Sequence, residues 1–142
     1  MFRENDSGLT VLEMIIAVAT IVLVVMIAPL VWTRYATESH DIRRVGATTE
    51  LQSALKNYFL SHGMYPYAVA GENVTPDSNV ITLLTNDFFL IRSHPPVDPE
   101  SPKYDFLYQS DGKSFSLTFC QIQFVQKGYA PGCNNKLYPL AI

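Results

Sequence analysis

Residues 8–13, Gly-Leu-Thr-Val-Leu-Glu, run directly into residues 14–32, MIIAVATIVLVVMIAPLVW, and this stretch decides how the chain is read. Between Leu9 and Trp32 the only charge is Glu13. As a helix, residues 9–32 cover about 36 Å at about 1.5 Å per residue, which exceeds a hydrocarbon core of roughly 30 Å. Trp32, Arg34 and Tyr35 follow, where interfacial anchors belong. A conventional cleaved secretory signal fits poorly. The preceding MFRENDSG sets Arg3 against Glu4 and Asp6, the apolar run is too long, and no small-x-small cut site follows Trp32.

Glu13 sits where a lone carboxylate is costly, so it requires a partner. A cut between Gly8 and Leu9 would expose a Leu9 ammonium near the same depth. Glu13 of one copy would then neutralise the Leu9 amine of a neighbour when copies assemble in staggered register. Pro29 removes one helical hydrogen bond and clashes with the preceding turn. It reads either as a kink or local melting that lets a packed helix extend under load, or as a tolerated kink in a membrane helix.

Gly8-Leu9-Thr10-Val11-Leu12-Glu13 followed by the long apolar run resembles the processing site of type IV pilins and type II secretion pseudopilins. The resemblance implies a leader at 1–8, a membrane-spanning helical half at 9–32, and a head domain at 33–142 that includes the second half of the helix. Gly8 would precede the cut, Leu9 would become the N-methylated terminus, and Glu13 would be the assembly carboxylate. Pro29 matches a helix-kinking proline common in the family. Leu9 stands where the family usually has Phe, and the leader is slightly acidic where leaders are commonly basic. The implied partners are a prepilin peptidase, an inner-membrane assembly platform, membrane lipid and further copies of the chain in a helical filament. The implied location is the cytoplasmic membrane, single-pass, with the head outside the cytoplasm, and then a periplasmic or extracellular filament.

Beyond Trp32 the pattern turns amphipathic. Tyr35, Ile42, Val45, Leu51, Ala54, Leu55, Tyr58 and Phe59 recur mostly at helical steps, while Asp41, Arg43, Arg44 and Lys56 largely fill other faces. One helix is expected from about Leu9 to Ser61, with Gly63 as its stop and Pro66 just beyond. Met64 to Asn79 reads as a loop, and Val80 to Leu84 as a short helix capped by Ser78 or Asn79. Phe88 to Ile91 reads as a short apolar strand or turn packing on the domain. Tyr104–Gln109 and Lys113–Gln121 alternate as strands around Ser110-Asp111-Gly112, a hairpin signal. The stretch from Gln123 onward reads as an irregular tail. The fold class expected is α+β: a long N-terminal helix packed on a small antiparallel sheet, as in pilins.

Tyr58 to Pro66, the Pro96 to Pro99 turn and the strand pair around Asp-Gly are also similar to major pseudopilins and short pilins. Major pseudopilins bind calcium through a C-terminal acidic loop. Here Asp98, Asp105 and Asp111 are separated, so they read as turn-forming and surface residues, with calcium as the lesser alternative; no other cofactor is expected.

Cys120 and Cys133 are too few for a four-thiolate zinc site and are not spaced as C-x-x-C. They read either as a disulfide closing a short loop in an oxidising compartment or as free thiols. The upstream membrane segment favours the first, which puts the head outside the cytoplasm. A net charge of −3, with Arg43-Arg44 as the one basic pair, argues against nucleic acid as the main partner; that pair reads as a solvated helix face. No Gly-x-Ser-x-Gly, His-Glu-x-x-His or phosphate loop occurs, so no enzyme is expected. The function expected is a structural subunit of a type IV pilus or secretion pseudopilus. The alternative is a minor or tip subunit that binds DNA, a surface or secreted cargo. Asn73-Val74-Thr75 is a glycosylation sequon of low specificity.

Overall fold

The computed structural model describes residues 10–91, 93–122 and 128–140. The element order is α1 (Val11–His62), β1 (Ala68–Val74), α2 (Asn79–Asn86), β2 (Phe106–Ser110), β3 (Phe115–Gln121) and β4 (Gly132–Leu137). Two compact units divide the chain, Met1–Ala36 and Thr37–Ile142.

In the first unit, α1 carries its apolar side chains to the outside on every face, from Val11 and Leu12 through Ile21 to Leu30 and Trp32. This part of α1 is long and apolar enough to cross a membrane. Helical backbone continues through Pro29.

The second unit is an α+β head. From Thr37 onward α1 packs on a four-stranded sheet of order β1-β2-β3-β4, with every neighbouring pair antiparallel. Strands β2 and β3 bury every second residue: Phe106 and Tyr108 from one, Phe115, Leu117 and Phe119 from the other. Leu51, Ala54 and Leu55 of α1 meet that face, with Val74, Val80, Ile81, Leu84 and Leu90 completing the core. The Tyr108 hydroxyl donates to the Pro66 carbonyl at 2.8 Å, so its one polar atom is satisfied inside. Tyr65 packs against Phe59 and Phe115, with ring centroids 4.7 and 4.9 Å away.

The hairpin joining β2 to β3 turns at Asp111-Gly112 as expected. Asp111 Oδ1 accepts from the Lys113 and Ser114 amides. Gly112 has φ 84°, and a Cβ there would lie 2.7 Å from the Tyr67 ring. The positive φ favours glycine there, and a larger residue would also have to displace the exposed Tyr67 ring. Helix α1 ends at Gly63, φ 72°, whose amide donates to Phe59.

Three local expectations are corrected. The loop expected over 64–79 contains β1, an edge strand whose register shifts between Ala68 and Glu72 around Gly71. Its mostly exposed side chains lack strand alternation, and its glycine marks the bulge. The irregular tail contains β4, which pairs with β3 despite two asparagines. Helix α2 is not capped by a Ser78 or Asn79 side chain. Ser78 holds the N-cap position, but its hydroxyl donates to Thr75. The Glu72 carboxylate, from β1, instead accepts from the Asn79 and Val80 amides.

Candidate functional site

Glu13 lies in the first turn of α1, exposed, next to Thr10 at the helix entrance. The Glu13 amide donates to Thr10 Oγ1 at 3.3 Å, and the Thr10 amide donates to Glu13 Oε2 at 3.4 Å. This is a reciprocal capping box, which satisfies two of the amides that a helix start leaves unpaired. The Thr-x-x-Glu spacing announces it, and sequence reading that gave Glu13 only an intermolecular role passed over it. Both contacts are longer than the usual 2.9–3.0 Å of an amide hydrogen bond, so the carboxylate is held loosely. Gly8 and Leu9 lie outside the described residues. Pro29 sits on the same apolar helix, where Thr33 Oγ1 donates to the Leu30 carbonyl at 3.1 Å.

Cys120 and Cys133 are joined in a disulfide that links β3 to β4. Asp98, Asp105 and Asp111 are engaged separately. Asp98 is buried against Arg44, Asp105 accepts from the Ser101 hydroxyl at 2.6 Å, and Asp111 serves the hairpin. Among the described residues, no three His, Cys, Asp or Glu side chains gather as a metal site would need. Asn73 is exposed on β1 and pairs across to Leu107.

The head's main polar centre was not anticipated. Arg44, read as part of a solvated face, is 0% exposed, as is Asp41, and Asp98 is 2% exposed. Arg43, its neighbour, is exposed as expected. Arg44 Nε donates to Asp98 Oδ2 at 2.7 Å, Nη1 to Asp41 Oδ1 at 2.8 Å, and Nη2 to Glu100 Oε2 at 2.5 Å and Asp98 Oδ1 at 3.2 Å. Asp41 Oδ1 also accepts from the Ile122 amide at 3.0 Å, tying the end of β3 to α1. The Arg44 guanidinium lies 5.2 Å from the Tyr104 ring centroid. His40 Nδ1 and Lys103 Nζ approach Glu100 at 3.6 and 3.8 Å from the solvent side.

Burial alone would lower the Arg44 pKa, but the bonds to Asp98, Glu100 and Asp41 outweigh it and push the guanidinium above its ordinary value. The Arg44 hydrogen bond in turn holds Glu100 below the usual carboxylate range, against partial burial. A guanidinium shared among three carboxylates is fully committed, so the cluster's chemistry is architectural. It clamps the Pro96 to Pro99 turn onto α1. Tyr35 and Ile42, expected on the buried stripe, are both exposed. The stripe runs instead through Asp41, Arg44, Val45 and Thr48. It keeps helical spacing, but its N-terminal end is ionic, which a search for apolar periodicity misses.

Neither a family model, nor a curated protein, nor a solved structure matches this chain.

Proposed function

We propose that this chain is the precursor of a structural subunit of an extracytoplasmic filament of the type IV pilus or secretion pseudopilus kind. The observation that carries the reading is a helix apolar on all sides over Val11 to Trp32, with one carboxylate, Glu13, at its start. Among the described residues, this stretch of α1 is exposed on every face. Lipid covers it first, and the same helices of other copies cover it after assembly. A prepilin peptidase removes residues 1–8 at the Gly8–Leu9 bond, leaving an N-methylated Leu9. An inner-membrane assembly platform then stacks the subunits. In the low dielectric of the packed helices, Glu13 pairs with the Leu9 amine of the adjacent copy and sets the stagger. The loose Thr10–Glu13 capping contacts leave the carboxylate able to exchange its local donor for that ammonium. The Cys120–Cys133 disulfide supports a head in an oxidising compartment.

The capping box supplies a discriminating test. Glu13→Gln keeps a side-chain acceptor for the Thr10 amide but removes the charge. Glu13→Gln and Glu13→Ala are both expected to remain folded and inserted and to yield no filaments. Normal filaments from the Gln variant would reduce Glu13 to a helix cap. N-terminal sequencing of the membrane-extracted protein is expected to begin at Leu9, and an intact Met1 would remove the processing step.

A further inference from the structure

The described part of the first unit carries two charged side chains, Glu13 and Arg34. They stand 21 positions apart in one helix, about 31 Å at about 1.5 Å per residue. That spacing matches a hydrocarbon core of roughly 30 Å, so a membrane that holds this rod places Arg34 in the headgroup layer of one face. Glu13 has its capping contacts with Thr10. The Arg34 guanidinium has no hydrogen-bond or ion-pair partner among the described residues. In the same membrane, the apolar stretch of a second copy offers no anion at this depth, because its one carboxylate, Glu13, lies at the opposite face.

On the way to Arg34 the helix surface is furrowed. Ile27, Val31 and Tyr35 form one ridge at four-residue steps, and Val24, Ala28 and Trp32 form the next. Ala28 is the small member of its ridge, and these side chains line a groove of about 730 Å³. The polar side-chain atoms on its lining are the Trp32 indole nitrogen and the Tyr35 hydroxyl, both at the end nearest Arg34, on side chains 78% and 73% exposed. Val24 to Tyr35 covers about 16 Å of helix, close to one leaflet of a core roughly 30 Å thick. Arg34 stands one turn beyond Val31 and borders the same mouth.

We propose that this groove binds a membrane phospholipid of the leaflet at the Arg34 end, with one acyl chain along the groove and the phosphodiester on Arg34. The chemical order of the site matches that of the lipid. An apolar length of one leaflet comes first, then an indole N–H and a phenol hydroxyl at the level of the ester groups, then a cation at the level of the phosphate. A guanidinium presents paired donors that suit two phosphate oxygens at once. Any phosphatidyl headgroup supplies that group. The site rests on the membrane placement in the filament reading, and it serves the inserted subunit before assembly.

The test uses the full chain in vesicles of phosphatidylethanolamine and phosphatidylglycerol, doped with phosphatidylglycerol that carries a diazirine in one acyl chain. Diacylglycerol with the same diazirine chain is the control without a phosphate. On illumination the phospholipid is expected to label Val24 to Tyr35 several-fold more than Val11 to Leu23, and several-fold more than diacylglycerol labels it. Arg34→Gln is expected to lower that labelling several-fold and Arg34→Lys to keep most of it. Ala28→Phe, which fills the groove, is expected to remove the excess. Even labelling along the helix, equal labelling by diacylglycerol, or unchanged labelling of Arg34→Gln overturns the proposal. Failure of the filament reading is scored separately, because an uncut N-terminus or normal filaments from Glu13→Ala would leave this labelling as it is.

Discussion

Arg44 on α1 donates through Nε to Oδ2 of Asp98 at 2.7 Å, across 54 positions of sequence, and both side chains are sealed from solvent. Asp98 lies between Val97 and Pro99, in a stretch whose prolines restrict the backbone. A stiff turn meets a stiff helix through a two-point ionic contact, because Nη2 reaches Asp98 Oδ1 as well. Desolvating such charges is expensive, and their mutual attraction with full hydrogen bonding offsets that cost. The pairing is consequently a device for register. It defines which turn of α1 the Pro96–Pro99 segment docks on.

Adjacent arginines give a contrast. Arg44→Ala leaves Asp41 and Asp98 buried without their cation and is expected to cost about 3–5 kcal/mol. Arg43→Ala, on the exposed face, is expected to stay within about 0.5 kcal/mol of the parent. Urea denaturation of the detergent-solubilised protein measures both, and equal losses would contradict the clamp.

Acid should loosen the same centre in a defined window. Glu100 is held below its ordinary value, 4.5, chiefly by the Arg44 hydrogen bond. A carboxyl lowered in the folded state contributes stability that is fully present above the unfolded value and is lost as pH falls through the folded one. Glu100→Gln is therefore expected to be less stable above about pH 5 and to show a flatter decline below about pH 4.5. Parallel curves for the two proteins would show that Arg44 does not act on Glu100 in this way.

Helix α2 is capped from another element. Glu72→Ala removes the acceptor for the Asn79 and Val80 amides and is expected to cost about 0.5–2 kcal/mol, the usual range for losing a cap. Ser78→Ala should cost less, because that hydroxyl serves Thr75 rather than a helix amide. Hydrogen exchange at the first turn of α2 distinguishes the two, and faster exchange in the Ser78 variant alone would reverse the assignment.

The disulfide holds an edge strand of weak intrinsic propensity. Replacing Cys120 and Cys133 together by Ser reopens a loop of separation 13, worth about 3 kcal/mol by chain entropy. Exchange protection is expected to drop first in β4, while β2 stays protected. Uniform loss across the sheet would mean that the bridge stabilises the whole head instead.

The apolar first half of α1, the position of Glu13, the Asp111-Gly112 hairpin and the alternation of β2 and β3 were all legible in sequence. Each depends on neighbours within a turn or two of chain, or on solvent, and so leaves a periodic or compositional trace. The burial of Arg44, Asp41 and Asp98 left none, since charged residues at helical spacing look the same whether they face water or one another. Edge strands β1 and β4 were hidden for a related reason: their outer sides are exposed, and their pairing partners are remote. Phe88 takes φ 61° because the closing hydrogen bonds of α2 to Thr85 and Leu84 put an aromatic residue at a position that favours glycine, which its residue type does not announce. Local order was therefore written along the chain, whereas charge pairing and edge pairing arose only where distant segments met, and the charge pairing only where that meeting excluded water.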